Sequence, residues 1–309
     1  MLSKVSVIIV NKDGRDLLDE CLNSLFSLTV YPTYIVIVVD NASSDGSVEL
    51  VKEKFPQVEI ITLHRNYGFT KANNIAIKYA IQSFKPDYVF LLNNDTKIIQ
   101  RDWLEQLVKC GYHIVQPIIL NKDGSVQSKG GGITIFGVPY LIKDKEQPLW
   151  VSFAAVLISR EVLEKIGLLA ENYIIYAEDL EFCLRAKTCG FKIGVANTQI
   201  IHYGTSTIMK LAHDKHVYYY YKTRNDYWTI AKYYSSRIMK LGYIAFSILQ
   251  SLILLLKRNT RGSKSVIVGL FHALRSSKTK KYYSLPPPKP RLSVLLIAVK
   301  RWLENSLRS

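Results

Sequence analysis

The alternation of short apolar runs with helical patterns is the feature that most restricts how this chain can fold. Four runs, each short enough to be a buried strand, occupy residues 5–10, 34–40, 58–63 and 88–92. Between the first two runs, Leu18, Cys21, Leu22 and Leu25 recur at helical spacing. Repeated strand–helix units of this length predict an α/β fold with a mostly parallel sheet, right-handed crossovers and helices on both faces.

Polar side chains end two of these runs. Asp40 follows the second run, and Asn93, Asn94 and Asp95 follow the fourth. Since ligands bind at the carboxyl ends of parallel strands, Asp40 and Asp95 are expected to face one shared ligand. Hard oxygen atoms suit a divalent cation that holds phosphates. Taken alone, the fourth run is more typical of a strand followed by an Asx turn, in which Asp95 caps the next helix, because short motifs often match by chance.

A second cluster of carboxylates lies further along the chain. Glu178, Asp179 and Glu181 crowd the first turn of a predicted helix, where the helix dipole stabilises anions. Glu181 and Arg185 are spaced for an ion pair between residues i and i+4. A predicted strand then leads to His202. The acidic cluster therefore predicts either a general base or simple capping of a helix N-terminus.

Charge divides the chain into two parts. Residues 1–214 hold 22 Lys and Arg against 23 Asp and Glu, whereas residues 215–309 hold 19 against 2. A region with a net charge of +17 predicts a polyanionic partner, either nucleic acid or an anionic membrane surface. The four cysteines form no Cys-x-x-Cys pair and are predicted to be reduced thiols of a cytosolic protein.

The basic region also contains apolar segments, at residues 241–256, 265–274 and 292–303. The first is shorter than the roughly 20 residues that a spanning helix needs. Basic helices of this kind predict binding to the membrane interface, with a single span, a packed helical bundle or a homodimer contact as alternatives. Nucleic acid is not expected, because long apolar runs serve no purpose there and no nucleic-acid motif is present.

Five motifs in one order resemble the family 2 glycosyltransferases of the GT-A fold, especially the rhamnosyltransferase-like branch. They are Asp40, Asn66-Tyr-Gly-Phe69, Leu-Leu-Asn-Asn-Asp95, Glu178-Asp179 and His202. The resemblance covers about residues 4–230. It implies a Rossmann-like GT-A catalytic domain at 1–214, with a nucleotide-sugar half at about 1–100 and an acceptor half at about 101–214. Residues 215–309 are then a basic, aromatic-rich helical region that associates with membranes.

The resemblance also implies a nucleotide-sugar site with a divalent cation, Mn²⁺ or Mg²⁺. Asp95 and His202 are the implied metal ligands, and an imidazole ligand favours Mn²⁺. Asp40 is implied to accept a hydrogen bond from the base, which leaves UDP, dTDP and GDP donors open. The residues implied to bind the nucleotide sugar are Asn11, Asp13, Asp40, Asn41, Asn66, Gly68, Asn73, Asn93, Asn94 and Asp95.

For catalysis, the resemblance implies that Asp179 is the general base and Glu178 its acidic partner. The sequence shows no candidate for a covalent nucleophile, so a single displacement with inversion is expected. Tyr176 and Arg224 are assigned to the acceptor side. Two departures from the family pattern concern the site: Asn93 replaces an Asp, and Gly167-Leu-Leu-Ala-Glu171 stands where Gly-Gly-Phe-Asp-Glu is usual.

The expected function is therefore transfer of a hexose or deoxyhexose from a nucleotide diphosphate sugar to a glycan or polyprenyl-linked acceptor. The expected location is the cytoplasmic face of the cell membrane, in the synthesis of cell-envelope polysaccharide. Two alternatives remain open at this point. One is a GT-A-type nucleotidyltransferase, for which Asn11-Lys-Asp-Gly14 is a poor phosphate loop. The other is a membrane-bound, non-catalytic scaffold, at which only Asn93 hints.

Overall fold

Two units, formed by different stretches of the chain, make up the computed structural model. It describes residues 2–144, 146–204, 216–276 and 285. The first unit combines Met1–Gly130 with Ile142–His213, and the second combines Gly131–Leu141 with Asp214–Ser309. The predicted apolar segment at 292–303 lies outside the described residues.

The first unit is built on a mixed sheet in which the predicted parallel strands form one side. Its strands are β1 Val5–Asn11, β2 Tyr34–Asp40, β3 Glu59–Thr62, β4 Tyr88–Asn93, β5 Thr96–Ile98, β6 Ile114–Leu120, β7 Val126–Ser128, β10 Ala155–Ser159 and β11 Ile193–His202, with β8 Gly131–Ile133 and β9 Pro139–Leu141 in the second unit.

Neighbouring strands on one side of the sheet are β3, β2, β1 and β4, which are parallel in that order. Strand β10 then pairs antiparallel with both β4 and β6. Beyond them, β11 runs parallel to β6 and antiparallel to β5, and β7 pairs antiparallel with β6.

Within residues 2–144 and 146–204, six α-helices pack around this sheet. They are α1 Arg15–Leu28, α2 Ser47–Lys54, α3 Gly68–Ser83, α4 Trp103–Lys109, α5 Arg160–Ile166 and α6 Glu178–Thr188. The predicted stripe of α1 is fully buried against the sheet, as at Leu18 and Leu22. Burial of each such leucine contributes about 1.5–3 kcal/mol. The rings of Phe90 and Trp103, whose centroids are 4.9 Å apart, pack β4 against α4.

Helix α3 begins at Gly68, whose φ of +78° suits glycine. A Cβ atom at this position would lie 2.8 Å from the Ile174 side chain. Asn73 and Asn74 lie inside the helix and are buried.

The described part of the second unit contains three helices and the β8–β9 hairpin. The helices are α7 His216–Tyr233, α8 Arg237–Leu256 and α9 Thr260–Ser276. Helices α7 and α9 approach closely at Gly269, where a Cβ atom would lie 2.6 Å from the carbonyl oxygen of Tyr220. The hairpin contacts α8 at Gly137, where a Cβ atom would lie 2.8 Å from the Met239 carbonyl oxygen. This packing explains why the hairpin belongs with the helices.

Helix α8 is longer than its apolar segment. It begins at Arg237 because the Ser236 hydroxyl accepts a hydrogen bond from the Met239 amide, which caps the helix. The resulting 20 residues correct the expectation that this segment is too short to span a bilayer. Among the described residues, α8 is the one helix whose length and composition suit a membrane span.

Candidate active site

The carboxyl ends of three neighbouring strands bring the predicted donor-site residues together. Asn11 at the end of β1 pairs in register with Asp40 at the end of β2. On the other side of β1, Val10 pairs with Asn93 at the end of β4. The polar tips that the sequence predicts thus lie on one edge of the sheet, as a parallel topology requires.

The Asn11 and Asn94 side chains connect two of these tips. The Asn94 amide nitrogen donates to Asn11 Oδ1 over 2.7 Å, and Asn11 Nδ2 donates to the Ser43 hydroxyl over 3.3 Å. Gly14 gives this pair its space, because a Cβ atom there would lie 2.4 Å from Asn94 Nδ2. Both asparagines therefore shape the site, and the need for glycine at position 14 is a feature that sequence analysis missed.

Asp40 is nearly buried, with 4% of its surface exposed. Its Oδ2 accepts a hydrogen bond from the Ser43 amide over 2.9 Å, whereas its buried Oδ1 has no hydrogen-bond partner among the described residues. A buried carboxylate oxygen that lacks a partner costs free energy unless a ligand satisfies it. Asp40 does not cap α2, whose N-terminal flanking residue is Gly46. This geometry leaves one acceptor for a donor group such as the N–H of a base.

Asp13 holds the loop that lies beside Asp40. Its Oδ1 accepts from the Ser44 amide over 2.8 Å, and its own amide donates to the Ser43 hydroxyl. The neighbouring Lys12 ammonium, together with the Ser44 contacts, lowers the pKa of the Asp13 carboxyl. Asp13 has a φ of +47°, which aspartate tolerates better than most residues. The structure thus gives Asp13 a role in loop shape.

Asn41 and Asn66 form a second chain of amides. Asn41 Nδ2 donates to Asn66 Oδ1 over 2.9 Å, and Asn66 Oδ1 also accepts from the Gly68 amide over 2.9 Å. Asn73 donates within α3, to the Phe69 carbonyl oxygen, and Asn74 binds both backbone groups of Leu169. Asn74 therefore connects α3 to the segment that precedes Glu171.

Asp95 and His202 meet because β11 pairs with β5. His202 is in register with Thr96, and His202 Nε2 lies 3.2 Å from Asp95 Oδ1. Asp95 is 1% exposed, and in the part of the chain that the structure describes neither of its carboxylate oxygens has a hydrogen-bond partner. Asn93 also reaches the ring, with its Nδ2 3.4 Å from His202 Nε2.

Gln127 fixes the orientation of His202, and sequence analysis missed it. Gln127 Nε2 donates to Asn121 Oδ1 over 2.9 Å, which leaves Gln127 Oε1 facing His202 Nδ1 at 2.8 Å. Since an amide oxygen only accepts, Nδ1 carries the proton and the lone pair of a neutral ring lies on Nε2. Nothing in the sequence around β7 marks this glutamine.

The chemistry of this pair suits a divalent cation. With 3.2 Å between them, His202 Nε2 and Asp95 Oδ1 form an ion pair when the ring carries a second proton; when Nε2 carries none, they are two facing acceptors that a cation between them would satisfy. The glutamine behind His202 is the kind of outer partner that orients metal-ligating histidines. Among the described residues there is no cluster of three or more His, Cys, Asp or Glu that could hold a metal ion.

The acidic pair lies at the entry to α6, after a segment with unusual backbone angles. Ile174, Tyr176 and Ala177 have φ values of 64°, 66° and 60°. Each such residue costs about 1–2 kcal/mol, and strain of this kind is concentrated at functional sites. The Ile174 carbonyl oxygen accepts from the Phe69 and Thr70 amides, which ties the segment to α3.

Glu178 and Asp179 occupy the first turn of α6. Glu178 is 8% exposed and Asp179 is partly exposed. The predicted pair of Glu181 and Arg185 is present, with 2.9 Å between Arg185 Nη2 and Glu181 Oε2. Arg185 also donates to the Ile166 and Leu168 carbonyl oxygens, so this pair anchors α6 to the end of α5. Glu181 therefore has a structural role, and the Asp179 Oδ1 atom accepts a hydrogen bond from the Leu180 amide over 2.7 Å.

The family model for "Glycosyl transferase family 2" matches residues 6–166. The low-salt glycan biosynthesis hexosyltransferase Agl10 of Haloferax volcanii is 27% identical over 81% of this chain and 83% of its own. The N-acetylglucosaminyl-diphospho-decaprenol L-rhamnosyltransferase of Mycobacterium tuberculosis is 23% identical over 74% of this chain and 87% of its own.

Among solved structures, the chain is similar to the mannosyltransferase PcManGT of Pyrobaculum calidifontis, determined with GDP-Man and Mn²⁺. The TM-score is 0.57 and the identity 15%, over 98% of this chain and 81% of the other. At this identity the similarity establishes the fold alone.

Proposed function

The chain belongs to glycosyl transferase family 2 and is a glycosyltransferase of the GT-A fold, and on that premise we propose an inverting, metal-assisted transfer. The donor is a nucleotide diphosphate sugar with UDP, dTDP or GDP, and the acceptor is a hydroxyl group of a glycan or polyprenyl-linked glycan. The sugar transferred is a hexose or deoxyhexose, as in the reactions named for the two relatives.

The Asp95–His202 pair carries this proposal. Two buried carboxylate oxygens without hydrogen-bond partners, facing an imidazole nitrogen that Gln127 orients, favour a cation at this place. When bound there, a divalent cation neutralises the diphosphate and makes it a better leaving group. Asp95 lies directly after β4, at the same sheet edge as Asp40.

Other donor contacts follow from the same edge. We assign Asp40 Oδ1 to the N–H group of the base, since it is buried and has no hydrogen-bond partner within the described ranges. Asn11 and Asn94 hold each other in place between the base and the phosphates. Asn41, Asn66 and Gly68 form the neighbouring wall. We assign Asn73 and Asp13 to the support of these loops.

Asp179 is the group to which we assign the proton transfer. In the displacement, the acceptor oxygen bonds to the anomeric carbon while the bond from that carbon to the diphosphate oxygen breaks. The hydroxyl proton passes to the Asp179 carboxylate, whose partial exposure allows an acceptor to reach it. Glu178 is its buried neighbour, and Tyr176 lies in the strained segment that leads to both.

Membrane association is part of the proposal because of the second unit. On α8, Leu249, Leu252 and Leu256 are 50%, 51% and 84% exposed, and Lys257 and Arg258 follow them directly. An exposed apolar face with basic residues at its end is typical of helices that lie in an anionic membrane interface. We therefore propose the cytoplasmic membrane face, where lipid-linked glycans are extended, as the working location.

Calorimetric titration with UDP, dTDP and GDP, each with and without Mn²⁺, tests the donor site. We expect one nucleotide to bind the parent in a Mn²⁺-dependent manner and Asp95→Ala to lose that binding by more than tenfold, because it removes a direct metal ligand. Asp16→Ala is the control, since the Asp16 side chain is 96% exposed.

Equal binding by parent and Asp95→Ala would contradict the metal site. Binding of none of the three nucleotides would remove the donor-site assignment altogether.

A further inference from the structure

A short strand at the edge of the sheet directly follows Asp95. Strand β5 has three residues, Thr96–Ile98, and within the described sheet it pairs only with β11. The pairing places His202 beside Thr96, so the two candidate metal ligands lie at the end of a short ladder. A strand of this length is held by few backbone hydrogen bonds, and its position therefore depends on contacts with other elements.

Helix α1 supports β5 at both ends of the strand. Cys21 Sγ lies 3.5 Å from Thr96 Oγ1, and the Ser24 hydroxyl accepts a hydrogen bond from the Ile98 amide over 3.0 Å. Both side chains of α1 are buried, so water does not compete for these contacts. They hold the first and last residues of β5 against the helix and leave the middle residue, Lys97, to a third residue of α1.

Glu20 is that third residue, and it binds both sides of the candidate metal site. Its Oε1 accepts from Lys97 Nζ over 2.9 Å and from the Tyr203 hydroxyl over 2.6 Å. Lys97 belongs to the strand that follows Asp95, and Tyr203 directly follows His202. One carboxylate oxygen of α1 therefore connects the strand behind one ligand with the residue beside the other.

The backbone of Tyr203 completes this connection. Its amide donates to the Asp95 carbonyl oxygen over 2.9 Å, one residue beyond the ladder between β5 and β11. Tyr203 is thus bonded at its amide to one ligand residue and at its hydroxyl to Glu20. It therefore transmits the position of α1 to the backbone beside Asp95 and His202.

The hydrogen bonds of Glu20 matter more for geometry than for the free energy of unfolding. The Tyr203 hydroxyl and, after it, the Lys97 ammonium lower the pKa of the Glu20 carboxyl. The Lys97 and Glu20 side chains are 42% and 40% exposed, and ion pairs at such sites contribute little to stability. Hydrogen bonds to an ionised carboxylate are nevertheless short and directional, so they fix the positions of the groups that they join.

We propose that Glu20 is a positioning residue for the divalent cation, acting through its two hydrogen-bond partners and touching neither metal nor substrate. It sets the separation of Asp95 Oδ1 and His202 Nε2, which are 3.2 Å apart. Metal–ligand distances vary by only about 0.2 Å, so a small shift of β5 against β11 weakens metal binding. The inference rests on the proposed function, because it concerns the metal site assigned there.

The Mn²⁺ concentration that gives half-maximal binding of UDP, dTDP or GDP to the full chain tests this role. We expect Glu20→Ala and Tyr203→Phe each to raise that concentration about tenfold, the lower end of the range for outer residues of metal sites. Glu20→Gln should stay within about twofold of the parent, because an amide oxygen also accepts from a hydroxyl and an ammonium group.

Asp19→Ala is the matched control. Asp19 precedes Glu20 on α1 and accepts from Lys54 Nζ over 2.8 Å, in an ion pair that joins α1 to α2 instead of β5. Its loss should leave the Mn²⁺ requirement unchanged. Nucleotide affinity at saturating Mn²⁺ should stay near that of the parent in every variant, since Asp40 and its loop are untouched. A defect of the fold would lower this affinity as well.

The double variant Glu20→Ala/Tyr203→Phe tests whether the two residues act as one connection. Its effect should not exceed the larger single effect, and additive effects would overturn the connection. An equal rise of the Mn²⁺ requirement in Asp19→Ala would also overturn it, because the effect would then reflect the general packing of α1.

Failure of this inference is separable from failure of the proposed function. A parent that binds a nucleotide with Mn²⁺, together with an unchanged requirement in Glu20→Ala and Tyr203→Phe, would overturn the role of Glu20 alone. A parent whose nucleotide binding does not depend on Mn²⁺ would contradict the proposed metal site, and the positioning role would fall with it.

Discussion

At the scale of single residues, the candidate metal site depends on a side chain that touches neither substrate nor metal. Gln127 selects the ring nitrogen that faces Asp95, since its amide oxygen holds the proton on His202 Nδ1. The orientation of Gln127 is fixed in turn by Asn121. Asn121 and Gln127, two polar residues of the β6–β7 hairpin, therefore decide which ring nitrogen of His202 faces Asp95.

Gln127→Ala should weaken the Mn²⁺ dependence of nucleotide binding about tenfold or more, the effect usual for outer partners of metal ligands. Gln127→Glu should restore it, because a carboxylate also accepts from Nδ1–H. The measurement is the Mn²⁺ concentration that gives half-maximal nucleotide binding. An unchanged Mn²⁺ requirement in Gln127→Ala would show that His202 orientation does not matter, and loss in both variants would indicate a fold defect.

The buried carboxyl group of Asp226 should make the free energy of unfolding depend on pH. Burial raises the pKa of its carboxyl above the ordinary 3.8, against the opposing effect of Lys222. Because the folded-state pKa is the higher one, its stabilising contribution is present below about 3.8 and is lost as the pH rises through the folded-state value. Asp226→Asn should therefore gain stability relative to the parent as the pH rises from 4 to 7, by at most about 1.4 kcal/mol per pH unit.

Urea unfolding of both proteins across this pH range measures that difference. The exposed Asp16→Asn serves as the control and should run parallel to the parent. A difference between Asp226→Asn and the parent that does not change with pH would contradict the raised pKa.

At the scale of elements, α8 combines a packed side with an exposed one. Met239 and Tyr243 are buried within the second unit, whereas Leu249 and Leu252 face solvent. Four exposed basic residues, Lys257, Arg258, Arg261 and Lys264, follow at the turn into α9. This distribution is that of an interfacial helix, although α8 also has the length of a span.

Replacing Leu249 and Leu252 together by Gln should reduce binding to anionic vesicles by at least tenfold, because each exposed leucine that enters the interface contributes about 1.5–3 kcal/mol at full burial. Co-sedimentation with phosphatidylglycerol vesicles measures it. The control is Leu2→Gln, an exposed leucine of the first unit. Equal binding by the double variant and the parent would exclude this face as the membrane contact.

At the scale of the whole molecule, chemistry and charge are divided between the units. Every residue assigned to the donor site and to proton transfer belongs to the first unit. The second unit carries the excess of basic residues, the exposed leucines of α8 and a cavity lined in part by Arg224 and Arg275. Such a division suits an enzyme whose donor is soluble and whose acceptor is bound to a membrane. The hairpin at Gly131–Leu141 joins the second unit although it lies within the sequence of the first.

The sequence by itself determined the parallel half of the sheet, the polar strand ends and the family. Periodicity reports burial directly, and parallel strands have one possible edge for their carboxyl ends, so Asp40 and Asp95 were predicted to lie together. The Glu181–Arg185 pair was predictable for the same reason, since it depends only on helical spacing.

Only the tertiary structure decided which residues meet across long separations. Gln127 and His202 are 75 residues apart, and no local pattern marks their contact. The inclusion of Arg237 in α8 and the burial of Asn73 depend on capping and packing, which outweigh the local pattern. Helices α7 and α9 approach closely at Gly269, and a point of close approach is a property of two packed surfaces, not of either sequence segment.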